Sequence, residues 1–209
     1  MSLNIRPAQP EDAPVAARLF VASGPELFRY FFFEHTDQNE WLLEQMFCHE
    51  AHAFTYEHAY VAERDGEILG ALHMVSYDEK EENLWGTNKI LMRYFGLLRL
   101  LWRLPRFLKG AELLLPIKED EMYINHIAVL ESCRGQGVGG ALLRFAEEES
   151  RRRGASMLSL DVEKTNPQAK RLYERYGYTE VELVTSPYVE SKVNFKGIHR
   201  MERELSEPK

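Results

Sequence analysis

The stretch Arg134-Gly135-Gln136-Gly137-Val138-Gly139-Gly140 decides the fold of this chain of 209 residues. Residues 122–130 before it are apolar, β-branched and aromatic, which is typical of a buried strand. The apolar residues after it follow the period of an amphipathic helix: Val138, Ala141, Leu142, Phe145 and Ala146. A strand that turns through glycines into a helix leaves amide N–H groups unpaired at the helix start, where the helix dipole also favours negative charge. The stretch therefore predicts a binding site for a phosphorylated cofactor.

The spacing of the glycines argues against two other phosphate-binding loops. No lysine follows Gly139 or Gly140, as the Walker pattern requires. Gly135, Gly137 and Gly140 fit the letters GxGxxG, but the dinucleotide fingerprint opens the first βαβ unit of a domain and is followed by an acidic residue at a second strand end. Here the motif lies late in the chain, and Asp161 falls inside the next predicted strand.

A second motif follows this loop. Residues 157–162 are typical of a strand, and Asn166-Pro167 then begins a predicted helix that Gly177-Tyr178 ends. One face of this helix carries four apolar or aromatic side chains: Ala169, Leu172, Tyr173 and Tyr176. Further upstream, Asp65-Gly66 between two apolar runs predicts a β-hairpin.

Both motifs resemble signatures of the GNAT superfamily of acetyl-CoA-dependent N-acetyltransferases. Arg134-x-x-Gly137-x-Gly139 resembles the loop that holds the CoA pyrophosphate, and residues 166–178 resemble the second signature, Asn-x-x-Ala-x-x-Leu-Tyr-x-x-x-Gly-Phe/Tyr. The resemblance implies an α/β (α+β) fold, in which a mixed, twisted central sheet carries helices on both faces. It also implies one domain over residues 1–209, with a helical insertion at about 81–120.

The composition favours a single folded domain and argues against several other classes of protein. Hydrophobic residues make up 44% of the chain, which is sufficient for one well-packed domain. No apolar run has the length of a transmembrane helix, and the N-terminus lacks the apolar core of a secretory signal. Two cysteines suit a reducing compartment, and a net charge of −7 argues against nucleic-acid binding. We therefore expect a cytoplasmic protein with no nucleic-acid partner.

The resemblance assigns acetyl-CoA contacts to three segments. The pyrophosphate would lie on the loop residues Arg134, Gly135, Gln136, Gly137, Val138, Gly139 and Gly140, where missing side chains let the main chain approach. Ile127, Ala128 and Val129 lie on the motif strand, which in the family splays from its neighbour and pairs with the pantetheine arm. Asn166 resembles an asparagine that contacts the cofactor near its thiol, although Asn before Pro is equally a good helix start.

The catalytic residues are predicted less completely. Tyr173 resembles the tyrosine that gives a proton to the departing CoA thiolate; alternatively it is a buried aromatic residue of the core. Relatives often carry a Glu or His base at the position of Tyr123 or Asn125, and this chain has neither there. His126 is a candidate base, although strand alternation would turn it to the face opposite Asn125. A water held by Asn125 and Tyr123, backed by an acid or His from the N-terminal helices, is the alternative.

Two further segments contain residues that could form sites. His49 and His52 are three residues apart, so the HExxH zinc pattern is not met and no metal is expected. Residues 89–109 contain six basic residues and no acidic one among many leucines. On a helix, Arg99, Arg103 and Arg106 would share a face opposite the leucines, and Pro105 would bend or end the helix. Such a segment can contact a membrane, but we favour packing of its apolar side over the acceptor cleft or on a twin subunit.

The predicted activity is transfer of an acetyl group from acetyl-CoA to a primary amine, by direct attack in a ternary complex. The expected partner is a small-molecule amine or amino-acid derivative, and the protein is expected to be a monomer or homodimer. Two alternatives stay open: a peptide or protein amine as the acceptor, and a non-catalytic CoA-binding regulatory domain that lost its base.

Overall fold

The structure is a computed structural model that describes residues 3–205. Seven strands form one sheet in the order β1-β2-β3-β4-β5-β7-β6. They are β1 (Asn4–Pro7), β2 (Ala59–Arg64), β3 (Glu67–Ser76), β4 (Glu121–Val129), β5 (Met157–Glu163), β6 (Thr179–Val184) and β7 (Ile198–Glu204). Among the described strands, only β4 and β5 are parallel neighbours. The predicted mixed sheet is therefore confirmed; residues 1–2 and 206–209, at the two ends of the predicted domain, lie outside the described residues.

Helices cover both faces of the sheet, as expected. They are α1 (Ala13–Ser23), α2 (Pro25–Phe31), α3 (Thr36–Phe47), α4 (Tyr77–Gly110), α5 (Val138–Arg152), α6 (Pro167–Arg175) and α7 (Pro187–Glu190). On one face, Phe20 and Leu42 of the N-terminal helices pack with Val61 of the sheet. On the other face, Leu142 of α5 packs with Leu72 and Leu158. The sheet therefore lies between two apolar cores.

An extra residue in β4 changes which side chains share a face of the sheet. His73 of β3 lies opposite His126 of β4, but the next residue, Met74, lies opposite Ile124. Asn125 is the additional residue and forms a β-bulge, which interrupts the alternation of side chains along the strand. Ile124 and Ile127 accordingly pack in the same core although they are three residues apart.

The predicted insertion contains one long helical segment with a sharp break. Ser76 and Glu79 form a capping box at its start: the Ser76 hydroxyl accepts from the amide of Glu79, whose carboxylate accepts from the amide of Ser76. The break lies at Gly96, with φ of 70°, a conformation that glycine adopts without steric cost. Pro105 was expected to bend or end the helix, and it does not end it, because Pro105 lies inside the second half. Among the described residues, no helix is long and apolar enough to cross a membrane.

Candidate active site

A large opening lies where β4 and β5 separate. The two strands pair from Glu121 with Met157 to Ile124 with Leu160, and no further. From Asn125 to Val129, the edge of β4 that faces β5 has no strand partner. Here there is a cavity of about 570 Å³. Strands β4 and β5, the end of α1, the glycine loop and α6 line it. The free strand edge therefore offers backbone donors and acceptors to whatever occupies the cavity.

The glycine loop forms one end of this cavity. Gly135 and Gly137 have φ of 78° and 82°, and neither has a neighbouring atom where a Cβ would be added. Within residues 3–205, none of the amides of residues 137–140 has a backbone acceptor, since the first such bond runs from Ala141 to the carbonyl of Gly137. Val138 begins α5, so these amides stand at the positive end of the helix dipole. The loop therefore presents unpaired amides at the N-terminus of a helix, an arrangement that suits an anion.

Gly140 has a packing role that the sequence did not reveal. A Cβ at this position would collide with the Tyr176 hydroxyl, which accepts a hydrogen bond from Arg144 at 2.9 Å. Gly140 therefore allows α5 and the end of α6 to approach each other closely. Arg134 and Arg175 line the cavity at this end, with exposed side chains.

Asn166 lines the cavity and also caps α6. Its side-chain oxygen accepts a hydrogen bond from the amide of Ala169 at 3.1 Å. Asn166 therefore caps α6 through its side-chain oxygen. Its side-chain NH₂ group has no partner among the described residues.

Tyr173 reaches the cavity from α6. The residue is 6% exposed, and its ring centroid lies 6.0 Å from that of Tyr178. Burial raises the pKa of the Tyr173 phenol above its ordinary value. Its hydroxyl makes no hydrogen bond within residues 3–205, although buried core tyrosines usually make one. The Tyr173 hydroxyl is therefore available to donate a hydrogen bond to a ligand in the cavity.

The bulge brings Asn125 and His126 to the same face of the sheet, so the prediction that they point to opposite faces is wrong. The Asn125 amide lies 3.3 Å from Nδ1 of His73, a residue on the side of α1. The His126 ring lies among the rings of Phe20, Phe28 and Phe54, at centroid distances of 5.3, 5.5 and 6.1 Å. Both residues line the cavity.

Ser23 fixes the tautomer of His126. The Ser23 hydroxyl donates to the carbonyl of Phe20 at 2.7 Å, and its oxygen lies 2.9 Å from His126 Nδ1. Because a hydroxyl has one proton, Nδ1 is the donor in the second bond, and the lone pair is left on Nε2. Burial lowers the pKa of His126 from 6.5 to about 4, so the imidazole is neutral at neutral pH.

The Tyr123 hydroxyl already has a hydrogen-bond partner, Asp161. Its hydroxyl donates to Asp161 at 2.9 Å, and the Asp161 carboxylate also accepts two hydrogen bonds from the buried Arg200, at 2.6 and 3.2 Å. In the sequence, Asp161 served only to exclude a dinucleotide fold, and no pattern pointed to Ser23 or Arg200. Asp161 nevertheless lines the cavity next to Asn125 and His126. No short sequence motif indicates Asp161, Ser23 or Arg200, because each lies far in the sequence from the residue that it contacts.

The His49–His52 segment has a structural role, because His52 is hydrogen-bonded to the backbone. His52 is buried, with Nε2 2.8 Å from the carbonyl of Met46 and Nδ1 accepting from the amide of Phe54 at 3.1 Å. Both ring nitrogens are therefore used by the backbone. Over residues 3–205, no cluster of three or more His, Cys, Asp or Glu side chains is arranged to hold a metal ion.

Comparisons with known proteins point to one family. A model of the Acetyltransferase (GNAT) family matches residues 24–178. An acetyltransferase of Agrobacterium fabrum is 45% identical over 60 residues, which are 29% of this chain and 42% of that protein. The aminoalkylphosphonate N-acetyltransferase of Salmonella typhimurium is 40% identical over 57 residues, which are 27% of this chain and 37% of that protein. The matches thus span less than half the length of these two curated relatives.

The likeness in three dimensions extends over almost the whole chain. The crystal structure of an N-acetyltransferase from Staphylococcus aureus superposes with a TM-score of 0.65 at 22% identity, and the match covers 95% of this chain and 99% of that one. At this identity the likeness is one of fold. Because the family model spans most of the chain, including both sequence motifs and the insertion, this protein belongs to the GNAT family of acetyltransferases.

Proposed function

We propose that this protein transfers the acetyl group of acetyl-CoA to the primary amine of a small molecule, in a ternary complex and without an acyl-enzyme. One observation carries the proposal: a single cavity brings together the glycine loop, the free edge of β4, a neutral histidine and an unpartnered tyrosine hydroxyl. Membership of the family supports it independently.

The cavity fits the cofactor. The unpaired amides of residues 137–140 and the positive φ angles of Gly135 and Gly137 suit a pyrophosphate. The guanidinium groups of Arg134 and Arg175 add positive charge at this end of the cavity. The free β4 edge at Ile127, Ala128 and Val129 suits the amide-containing pantetheine arm. Bound acetyl-CoA supplies an acyl group activated as a thioester.

His126 is the proposed proton acceptor. Its Nε2 is left with the lone pair, and the ring is held by Ser23 and three phenylalanine rings. With a pKa of about 4, the imidazole is too weak a base to deprotonate a free ammonium ion. We therefore assign to it a narrower role: it accepts a hydrogen bond from the neutral amine and takes the proton as the C–N bond forms, when the nitrogen becomes acidic.

Tyr173 is the proposed donor to the leaving sulfur. Its raised pKa keeps the phenol protonated at neutral pH, and its hydroxyl is free to donate into the cavity. One of the β4 amides at residues 127–129 would polarise the thioester carbonyl. As the C–N bond forms and the C–S bond breaks, the amine proton goes to His126. The Tyr173 phenol gives its proton to the sulfur, which leaves as the CoA thiol.

The surroundings of His126 favour a small acceptor with an apolar part. Phenylalanine rings surround His126, the short residues Ala22 and Ser23 line the cavity, and the Asp161 carboxylate is already paired with Arg200. The Salmonella relative is named for an aminoalkylphosphonate acceptor, which supports a small molecule as the acceptor.

A panel of primary amines tests this proposal through release of free CoA thiol. Small amines and amino-acid derivatives should release thiol in proportion to acetylated product. Peptides that carry the same amine should be poorer substrates if the acceptor is small. Acetyl-CoA binding without thiol release for any amine or peptide would instead favour the non-catalytic CoA-binding alternative.

A further inference from the structure

The second half of α4 presents apolar side chains to solvent. Leu98 is 82% exposed and Trp102 is 73% exposed. Four more leucines of this segment are about half exposed or more: Leu97, Leu101, Leu104 and Leu108. We call these six side chains the leucine face. The expected packing of these leucines over the acceptor cleft is wrong, because no residue of α4 lines the cavity.

The leucine face points outwards because the opposite side of the helix is fixed to α2. The ring of Phe107 stacks on that of Phe31 at 5.9 Å, and Arg103 donates to the carbonyl of Phe31 at 3.2 Å. The Tyr30 hydroxyl donates to the carbonyl of Arg106 at 2.9 Å. A Cβ at Gly110 would collide with the ring of Phe31, so the helix lies close against α2. Reversing the helix to bury its leucines would break all of these contacts.

The leucine face lies within a basic segment of the chain. Residues 83–111 contain six basic residues and no acidic one: Lys89, Arg93, Arg99, Arg103, Arg106 and Lys109. Four of them are exposed, namely Lys89, Arg93, Arg99 and Lys109. The whole chain has a net charge of −7, so the rest of the molecule is strongly acidic. The segment is therefore a basic patch with an apolar centre on an acidic protein.

A small cavity lies at the edge of this patch. It has a volume of about 330 Å³, and Arg99 and Arg103 line it together with Gln38 and the rings of Phe33, Phe95 and Trp102. Guanidinium groups beside aromatic walls suit a phosphate head group attached to an apolar tail.

We propose that the leucine face docks on the surface of a membrane that contains anionic phospholipids. A helix with leucine and tryptophan on one side and basic residues along its flanks lies in the plane of the lipid interface. The acidic remainder of the protein would be repelled by the same lipids, which orients the basic patch towards them. A second copy of the chain is a poorer occupant, because a self-complementary contact would bring two basic patches together. This inference does not depend on the proposed activity.

Co-sedimentation with lipid vesicles tests the inference. The protein should sediment with phosphatidylcholine vesicles that contain phosphatidylglycerol, and not with phosphatidylcholine alone. Added salt should release it, since screening weakens attraction to the lipid surface. The neutralised variant Lys89→Gln/Arg93→Gln/Arg99→Gln should bind roughly 10²-fold more weakly, at about 5-fold for each basic residue near the surface. Leu98→Ser/Trp102→Ser should also lose binding to the anionic vesicles.

Two matched controls separate the patch from general changes in charge or hydrophobicity. Lys164→Gln/Arg171→Gln/Lys196→Gln removes the same charge from exposed sites outside α4. Val181→Ser/Leu183→Ser removes two exposed apolar side chains from β6. Both controls should bind anionic vesicles like the unmodified protein.

Three results would overturn the inference. The protein could bind neither kind of vesicle, or it could bind neutral and anionic vesicles equally. The control variants could also lose as much binding to anionic vesicles as the variants of the patch. Sedimentation velocity tests whether a second copy of the chain covers the leucine face. If the protein is a dimer, and Leu98→Ser/Trp102→Ser converts it to monomers without changing vesicle binding, the leucine face is a surface for self-association instead.

Discussion

His126 Nδ1 lies 2.9 Å from the hydroxyl oxygen of Ser23, although the two residues are 103 positions apart in the sequence. The contact joins the end of α1 to the bulge of β4, and the hydroxyl donates its own hydrogen bond to the carbonyl of Phe20. It determines which nitrogen of the imidazole is free to face the cavity. The proposed base is therefore positioned from the N-terminal half of the chain.

Removal of the Ser23 hydroxyl should affect turnover more than binding. In Ser23→Ala, His126 loses the partner that orients its ring, and we expect kcat to fall about 10-fold, the scale of one lost hydrogen bond. The KM for acetyl-CoA should not change. Ser23→Thr, which keeps a hydroxyl, should recover most of the rate. Equal kcat values for Ser23→Ala and the unmodified protein would show that His126 does not need this orientation.

Titration of His126 should make the protein less stable in mild acid. Its pKa is 6.5 ordinarily and about 4 in the folded protein, so the unfolded state binds more protons between these values. The stability is thus unaffected by this group well above pH 6.5 and decreases as the pH falls towards 4, by about 3 kcal/mol.

His126→Gln should reduce this dependence, because glutamine does not titrate. The measurement is the free energy of unfolding by urea at pH values from 4 to 7, in which the slope is compared and not the absolute stability. His35→Gln, at an exposed histidine, is the control and should keep the slope of the unmodified protein. An unchanged slope in His126→Gln would mean that His126 is not held in its neutral form.

Replacement of Gly137 tests the pyrophosphate site. Gly137→Val adds a side chain where the backbone should approach the cofactor, so the rise in melting temperature caused by acetyl-CoA should disappear. Gly66→Val is a closely matched control, because Gly66 has φ of 81°, against 82° for Gly137, and neither has a neighbour at the Cβ position. Both variants should lose similar intrinsic stability from the strained φ. If Gly137→Val keeps the full shift, the pyrophosphate lies elsewhere.

Asn166 combines a structural and a possible binding role, and two substitutions separate them. Asn166→Ala should cost about 1 kcal/mol of unfolding free energy through loss of the cap. Asn166→Ser keeps a capping oxygen and loses the NH₂ group, so it should retain stability but bind acetyl-CoA more weakly. Calorimetric titration measures the affinity. Wild-type affinity in Asn166→Ser would leave the residue as a cap only.

The sequence was sufficient to predict the features that depend on local pattern. The glycine loop and the helix start at Asn166-Pro167 are encoded by neighbouring residues, and the structure has both. The mixed sheet followed from the order of strands and helices together with the family resemblance.

Features that depend on distant pairing were not predicted. The bulge at Asn125 arises from the register between β3 and β4, which the sequence of β4 alone does not contain. The outward direction of the leucines of α4 depends on contacts with Tyr30 and Phe31, far upstream. The break at Gly96 was missed because proline is the stronger helix breaker in sequence, whereas here the glycine takes the positive φ.

Steady-state release of CoA thiol by the unmodified protein and by Tyr173→Phe, with the best amine of the panel, tests the central claim most directly. Tyr173→Phe removes only the hydroxyl that lacks a partner in the cavity, so acetyl-CoA affinity and stability should be nearly unchanged. We predict that kcat falls roughly 10²-fold, the usual scale for the loss of an acid catalyst. Equal turnover by the two proteins at every pH would contradict the assignment of Tyr173, and no thiol release by the unmodified protein with any amine would contradict acetyl transfer itself.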